Sequence, residues 1–203
     1  MSSADGKFFV EVFVTLFVIM DPPGTIPLFL SLTHGRSAAI RRRLAGQAVL
    51  VAFFVITLFA LFGQSILNYL GITLPAMQAA GGLLLLLVAL ELLTGRADDP
   101  VQSGNVNVAL VPLGTPLLAG PGAIVATIVF VERVDGWPEA VALAAGIVAV
   151  HAMLWLSMRY SVAIIRVIKD SGVTLITRIA GLLLSAIAVQ LVADAIIAFA
   201  QEA

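Results

Sequence analysis

The sequence predicts an all-α membrane protein in which six transmembrane helices form two inverted three-helix repeats, with the first and fourth helices broken. The chain is 61% hydrophobic and 11% charged, with a mean hydropathy of +1.10, whereas soluble domains carry about 25% charged residues. The segment from Leu44 to Leu90 contains no charged residue, and it is long enough for two spans of about 20 residues each. Prolines and glycines interrupt the apolar sequence after Asp21 and again around Gly120.

The first apolar segment is interrupted between Val18 and Phe29 by a carboxylate, three prolines and a glycine. Phe8–Met20 predicts a helix of about 20 Å at roughly 1.5 Å per residue, which is shorter than the bilayer core of about 30 Å. Proline donates no backbone hydrogen bond and restricts the residue before it, so the helix should end near Pro22 and resume from Ile26 to Leu32. We therefore predict a helix that is broken at membrane depth.

The remaining apolar segments predict five further spans. They are Leu44–Leu67, Leu74–Leu93, Val106–Phe130, Ala140–Met158 with a partly exposed extension to Lys169, and Leu175–Ala200.

Nine of the 11 lysines and arginines fall on one set of alternate loops, and only Lys7 and Arg133 fall on the other. By the positive-inside rule, this distribution predicts a multi-pass protein of the cytoplasmic (inner) membrane with both termini extracytoplasmic. We interpret the Arg41–Arg43 cluster as part of this orientation signal in preference to a lipid-binding site.

Three short motifs recur about 100 residues later in the same order. Pro23–Ile26 resembles Pro121–Ile124, Gly71–Leu74 resembles Gly172–Leu175, and Ala80–Gly81 matches Ala180–Gly181. Chance matching between glycine- and leucine-rich helices is the alternative, but three collinear matches favour a repeat. An odd number of spans in each half makes the halves inverted. We therefore predict a single membrane domain, 1–203, with repeats at 8–95 and 106–200.

Four motifs carry a family resemblance, namely D-P-P-G-T-I-P-L-F, G-I-T-L-P-A-M-Q-A-A-G-G-L, P-L-L-A-G-P-G-A-I and R-I-A-G-L-L-L-S-A-I-A-V-Q. In this order they resemble the MarC family of six-span inner-membrane proteins. The resemblance implies an inverted three-plus-three fold. It also implies a small amphipathic solute, because archaeal relatives are similar to transporters of glycine, alanine and other small neutral amino acids. Many members have Asn at the position of Asp21.

Broken spans are where such a fold would build its binding site. The helix that starts after a break presents free N–H groups to an anion, and the helix that ends before it presents free carbonyls to a cation. A zwitterionic amino acid matches this pair. Asp21 would hold the ammonium group or bind a coupling proton, with sodium as the other candidate coupling ion. A proline kink that only packs is the structural alternative. The candidate substrate-binding residues are Asp21, Pro22, Gly24, Thr25, Thr115, Gly120, Pro121 and Gly122.

The other polar residues inside the spans are interpreted as structural. Glu91 and Asp194 lie near predicted helix ends, and His151 is expected to pack and form a hydrogen bond, with a proton relay as the alternative.

The sequence lacks cysteine, metal-ligand spacing, a catalytic triad and a nucleotide loop, and its net charge is −1. We therefore expect no metal site, no cofactor, no enzymatic activity and no nucleic-acid partner. Secondary transport is the leading prediction, and a passive channel for a small solute or ion is the alternative.

Overall fold

The computed structural model describes residues 3–33, 35–94 and 118–202, which form seven α-helices. The predicted first span contains α1 (Ser3–Met20) and α2 (Thr25–Leu32), with non-helical backbone between them. The predicted break at Asp21–Gly24 is therefore confirmed. The helix α1 begins before the predicted start at Phe8, because the polar residues ahead of Phe8 include no proline and continue the helix. Its 18 residues give a length of about 27 Å.

The second and third spans form a helical hairpin from α3 (Ala38–Leu70) and α4 (Leu74–Thr94). The Ser37 side chain accepts a hydrogen bond from the Ile40 N–H at 3.4 Å and caps the start of α3. Gly71 ends α3 with a φ of 66°, a left-handed conformation that glycine adopts without steric cost. These helices contain the predicted spans Leu44–Leu67 and Leu74–Leu93.

The second half of the chain contains α5 (Pro121–Glu132), α6 (Trp137–Arg159) and α7 (Ser161–Glu202). The predicted fourth span starts at Val106, and the part of it before residue 118 lies outside the described residues. Lys169 interrupts α7 with a φ of 61°. The exposed segment before Lys169 corresponds to the predicted extension of the fifth span, and Thr174–Gln201 forms the apolar segment after it.

Four helical segments in the described part of the chain are long and apolar enough to cross a membrane. They are Ala38–Leu70, Leu74–Thr94, Trp137–Arg159 and Thr174–Gln201. The outer face of α3 exposes large apolar side chains, including Leu50, Phe54 and Leu61, as expected of helices that contact lipid. These features define a polytopic helical membrane protein.

The main core lies where α1 packs against α6, with α3 and α5 beside them. A Cβ on Gly146 of α6 would lie 2.6 Å from the Val12 side chain of α1, so only glycine allows this close approach. Ala45, Ala48 and Ala52 form a fully buried stripe on α3. Small residues of this kind let membrane helices approach closely, which increases their van der Waals contact.

The helices α4 and α7 pack against each other through reciprocal contacts. A Cβ on Gly82 would lie 2.8 Å from the Ala188 carbonyl oxygen, and a Cβ on Gly181 would lie 3.3 Å from the Ala89 carbonyl oxygen. The same shift in residue number converts Gly82 to Gly181 and Ala89 to Ala188. Contacts in which one residue number rises as the other falls are the pattern of antiparallel helices, so α4 and α7 run in opposite directions.

One ion pair joins the two halves of the described chain at the end of the bundle where α1 begins. Arg133, in the turn between α5 and α6, donates hydrogen bonds to both carboxylate oxygens of Glu11 at 2.5 and 2.9 Å. The bidentate hydrogen bonds raise the pKa of Arg133 above its ordinary value. This pair places the start of α1 and the charged turn at the same end of the bundle.

Candidate functional site

Asp21 caps the N-terminus of α2. Its N–H continues α1 by donating to the Phe17 carbonyl at 3.0 Å, and its φ of 40° then ends the regular helical backbone. Its Oδ1 accepts a hydrogen bond from the Gly24 N–H at 3.1 Å, and its backbone carbonyl accepts one from the Thr25 N–H at 3.0 Å. Aspartate is among the residues that best provide such a cap. One oxygen of the Asp21 carboxylate is therefore paired with a backbone N–H at the break.

This cap changes the predicted chemistry of the first break. We expected free N–H groups at the start of the second half-helix, but Pro22 and Pro23 have no N–H and that of Gly24 is bonded to Asp21. The first break therefore offers no anion site at these residues. It presents an acceptor oxygen, which suits a cation.

The second carboxylate oxygen of Asp21 remains unpaired. Asp21 is only 7% exposed, and its Oδ2 has no hydrogen-bond partner in the described part of the protein. The hydroxyl of Thr177 on α7 is also buried without a partner there. A Cβ on Gly24 would overlap the Asp21 carboxyl group and would lie 3.2 Å from Thr177 Oγ1. Asp21 and Thr177 therefore place two unsatisfied oxygen atoms beside the same glycine.

Thr25 and Pro22 support this arrangement from within α2. Thr25 is 5% exposed, and its hydroxyl donates to the Pro22 carbonyl at 2.8 Å. The hydrogen bond holds the first turn of α2 in place, so the structure gives Thr25 a local role at the break. The free oxygen atoms are those of Asp21 and Thr177.

The start of α5, where the sequence predicts the second break, has a different chemistry. The residues before 118, which would form the preceding half-helix, lie outside the described residues. Gly120 is the N-cap residue of α5, no described side chain caps this helix, and Pro121 occupies its first turn. The N–H groups of the first helical turn have no acceptor within the helix. At α5 the N–H groups without an acceptor in the helix include those of Gly122 and Ala123. Both residues are buried. This uncapped N-terminus suits an anionic group.

Gly122 also permits close packing beside the second break. A Cβ at this position would overlap the side chain of Leu85 on α4. The helix α4 therefore packs directly on the backbone at the start of α5, as α7 packs on the backbone at Gly24.

Both breaks border one hydrophobic cluster. Met20 and Phe29 flank the first break, and Leu118, Ala119 and Ala123 flank the second. Seven of the eight candidate residues thus belong to two backbone turns beside a common core. The eighth, Thr115, lies outside the described residues.

The remaining polar candidates have local partners or exposed positions. His151 is 3% exposed and its Nδ1 lies 2.7 Å from the Ile147 carbonyl. Because a carbonyl can only accept, Nδ1 carries the proton. Asp194 accepts a hydrogen bond from Gln190 at 2.7 Å, and Glu91 is exposed. No cluster of three or more metal-ligating side chains occurs among the described residues.

Sequence reasoning did not identify Thr177. The available signal was its place in the sequence. Thr177 lies three residues after Thr174, which belongs to the repeated motif Gly172–Leu175. A threonine near the start of an apolar span is common, and only the packing of α7 against the first break distinguishes this one.

The fold and these turns define a polytopic helical membrane protein with a polar site at a break in its first span. The chain belongs to the MarC family, since residues 6–199 match the family described as MarC family integral membrane protein. The resemblance inferred from the four motifs is thus confirmed.

Similar proteins cover nearly the whole chain. A UPF0056 membrane protein of Archaeoglobus fulgidus is 34% identical over 197 residues, which is 93% of this chain and 92% of the relative. The corresponding protein of Aquifex aeolicus is 36% identical over 197 residues, again covering 93% and 92%. The UPF0056 membrane protein YvbG of Bacillus subtilis is 32% identical over 196 residues, 92% of each chain. No solved structure matches this chain.

Proposed function

We propose that this protein is a secondary transporter of small neutral amino acids or similar small zwitterionic solutes across the cytoplasmic membrane. The observation that carries the proposal is the complementary chemistry of the two breaks. The first presents the unpaired Oδ2 of Asp21, and the second presents the uncapped start of α5 at Gly120. An ammonium group suits the first and a carboxylate group suits the second.

The proposed transporter has six spans in two inverted repeats that move against each other around the site. The antiparallel packing of α4 and α7, with Gly82 against Ala188 and Gly181 against Ala89, is the arrangement that inverted repeats require of their third spans. The packing of α7 beside the first break and of α4 beside the second supports it as well. Alternating access by such repeats exposes a site near the midplane to each side in turn.

Asp21 is the proposed coupling residue as well as the ammonium acceptor. A carboxylate inside a membrane is stable only when it is protonated, paired or hydrated. No described lysine or arginine forms an ion pair with Asp21. A proton or a sodium ion bound at Oδ2 would neutralise it when the substrate is absent.

Counterflow in proteoliposomes tests this function. Vesicles containing the purified protein and a high internal concentration of unlabelled alanine should transiently accumulate external radiolabelled alanine. Alanine should compete with the label, whereas ethylamine and propionate, each carrying one of its two charges, should compete at least tenfold more weakly. Glycine should compete and bulky amino acids should not.

Two controls separate the proposal from its alternatives. Asp194→Asn removes an exposed carboxylate on α7 and should leave counterflow unchanged. Flux that rises linearly with concentration, without counterflow, would instead identify a passive channel. Equal competition by ethylamine or propionate would exclude recognition of a zwitterion.

A further inference from the structure

A second polar site lies at the opposite end of α1 from the Glu11–Arg133 pair, where α3 begins and α6 meets α7. A partly open cavity of about 280 Å³ lies there, just below the range of roughly 300–1,000 Å³ for small-molecule sites. Four of its described lining residues are arginines, and none of the described ones is acidic. The lining arginines are Arg41, Arg42, Arg159 and Arg166.

These guanidinium groups have no carboxylate partner in the described part of the chain, where Glu11–Arg133 is the ion pair observed. Arg159 is held in place by aromatic rings, with its guanidinium carbon 4.9 Å from the centre of Trp155 and 5.8 Å from that of Tyr160. Stacking of this kind fixes the orientation of the guanidinium plane and leaves its N–H groups in that plane free to donate.

The start of α3 adds backbone donors to the cavity wall. Ser37 caps α3 by accepting a hydrogen bond from the Ile40 N–H. Ala38 and Ala39 lie in the first turn of α3, so their N–H groups have no acceptor within the helix. Ala38 itself lines the cavity. The positive end of the α3 dipole therefore adds to the four arginine charges.

The positive-inside rule accounts for arginines in these loops, but it does not require them to surround one cavity. Charges of the same sign repel one another, and the repulsion is stronger where water is excluded. An anion between the arginines would remove this repulsion. Arginine also matches the geometry of phosphate oxygens through paired N–H donors.

We propose that this cavity binds a phosphate-bearing anion, which is either the headgroup of an anionic lipid or a soluble phosphate ester. The site is separate from the helix breaks and does not depend on the transport function. Its ligand is recognised by the arginines of α3 and of the α6–α7 junction together.

The test uses the full-length protein purified in a neutral detergent without phosphate, at constant ionic strength. Thermal stability is measured against glycerol phosphate. In parallel, native mass spectrometry measures the retention of phosphatidylglycerol after extraction from vesicles of phosphatidylcholine containing one-fifth phosphatidylglycerol. The double variant Arg42→Gln/Arg166→Gln changes two exposed lining residues. Arg43→Gln is the matched control, because Arg43 is exposed on the same helix but does not line the cavity.

In whichever of the two assays detects binding, we expect the double variant to weaken phosphate binding at least tenfold. Arg43→Gln should weaken it less than twofold. Stabilisation by glycerol phosphate identifies a soluble ligand, and retained phosphatidylglycerol that glycerol phosphate cannot displace identifies a lipid site. The proposal is overturned if neither probe binds, or if Arg43→Gln weakens binding as much as the double variant does.

Discussion

The hydroxyl of Thr177 lies beside the same glycine as the unpaired carboxylate oxygen of Asp21, although the two residues are far apart in sequence. Both atoms are buried and both lack a hydrogen-bond partner in the described part of the protein. A buried, unsatisfied polar atom costs about 1–3 kcal/mol. The presence of two such atoms at one helix break is explained if a ligand supplies their missing hydrogen bonds.

Thr177→Val should therefore separate binding from stability. Valine removes an unpaired hydroxyl, so thermal stability without substrate should stay the same or increase. Substrate affinity in counterflow should fall about fivefold, as expected for one lost hydrogen bond of roughly 1 kcal/mol. Thr177→Ser should restore it.

Thr127→Val is the matched control for this change. Thr127 is a buried threonine, but its hydroxyl already donates to the Ala123 carbonyl at 2.7 Å. Its replacement should leave affinity unchanged. A Thr177→Val variant that loses stability and keeps its affinity would show that the hydroxyl is structural.

Asp21→Asn should keep the fold and lose coupled transport. Asparagine retains an oxygen atom to accept from the Gly24 N–H and tolerates the observed φ of 40°. It cannot bind a proton or attract an ammonium group as a carboxylate does. We expect the transport rate to fall at least tenfold and its pH dependence to disappear, as measured by uptake across a range of pH.

Asp21→Ala adds a structural defect to the same loss of charge. It removes the cap of α2, which should lower the stability of the protein by about 0.5–2 kcal/mol. The Asp21→Ala protein should therefore melt at a lower temperature than the Asp21→Asn protein. Unchanged rate and pH profile in Asp21→Asn would assign the carboxylate to capping alone.

Gly24→Ala should disrupt the site through the Asp21 side chain. The added Cβ would overlap the Asp21 carboxyl group, which must then turn away from Thr177. We expect a loss of about 1–3 kcal/mol in stability from overpacking and the loss of alanine counterflow.

Gly46→Ala is the corresponding control, because its Cβ would meet Trp155 Nε1 at 4.0 Å, an ordinary contact distance. Alanine is favoured over glycine inside a helix by about 0.5–1 kcal/mol, so this variant should be slightly more stable and fully active. Normal counterflow by Gly24→Ala would contradict the proposed position of the substrate.

The break at Asp21–Gly24 could be predicted from the sequence because its causes are local. The Asp21-Pro-Pro-Gly24 segment contains its own cap, since Asp21 bonds to Gly24 and the prolines remove two N–H groups. An end of the helix at Lys169 was predicted, but the positive φ of Lys169 was not, because neither proline nor glycine marks that position in the sequence. Thr177 was not predicted either, because its role depends on how α7 packs against a segment more than 100 residues away.

The reciprocal glycine contacts between α4 and α7 predict an order of stabilities. A Cβ at Gly82 would lie 2.8 Å from the Ala188 carbonyl oxygen, and this backbone atom cannot move without displacing the helix. At Gly181 the nearest atoms lie at 3.1–3.3 Å. We expect Gly82→Ala to lower stability by about 1–3 kcal/mol and Gly181→Ala to lower it less.

Thermal unfolding in detergent would check this order, with Gly6→Ala as the control because a Cβ there has no neighbour within 4 Å. Equal stability of Gly82→Ala and Gly6→Ala would mean that α4 and α7 are not in close contact in the folded protein.

The orientation of the chain can be measured by cysteine labelling, because the protein contains no cysteine. The Glu11–Arg133 pair joins the start of α1 to the α5–α6 turn, while Arg41 and Arg166 line a common cavity. The excess of arginine on the second side predicts that it is cytoplasmic. Lys7→Cys and Asp135→Cys should therefore react with a membrane-impermeant maleimide added to intact spheroplasts. Arg43→Cys and Arg166→Cys should react only after permeabilisation, and the opposite pattern would overturn the predicted topology.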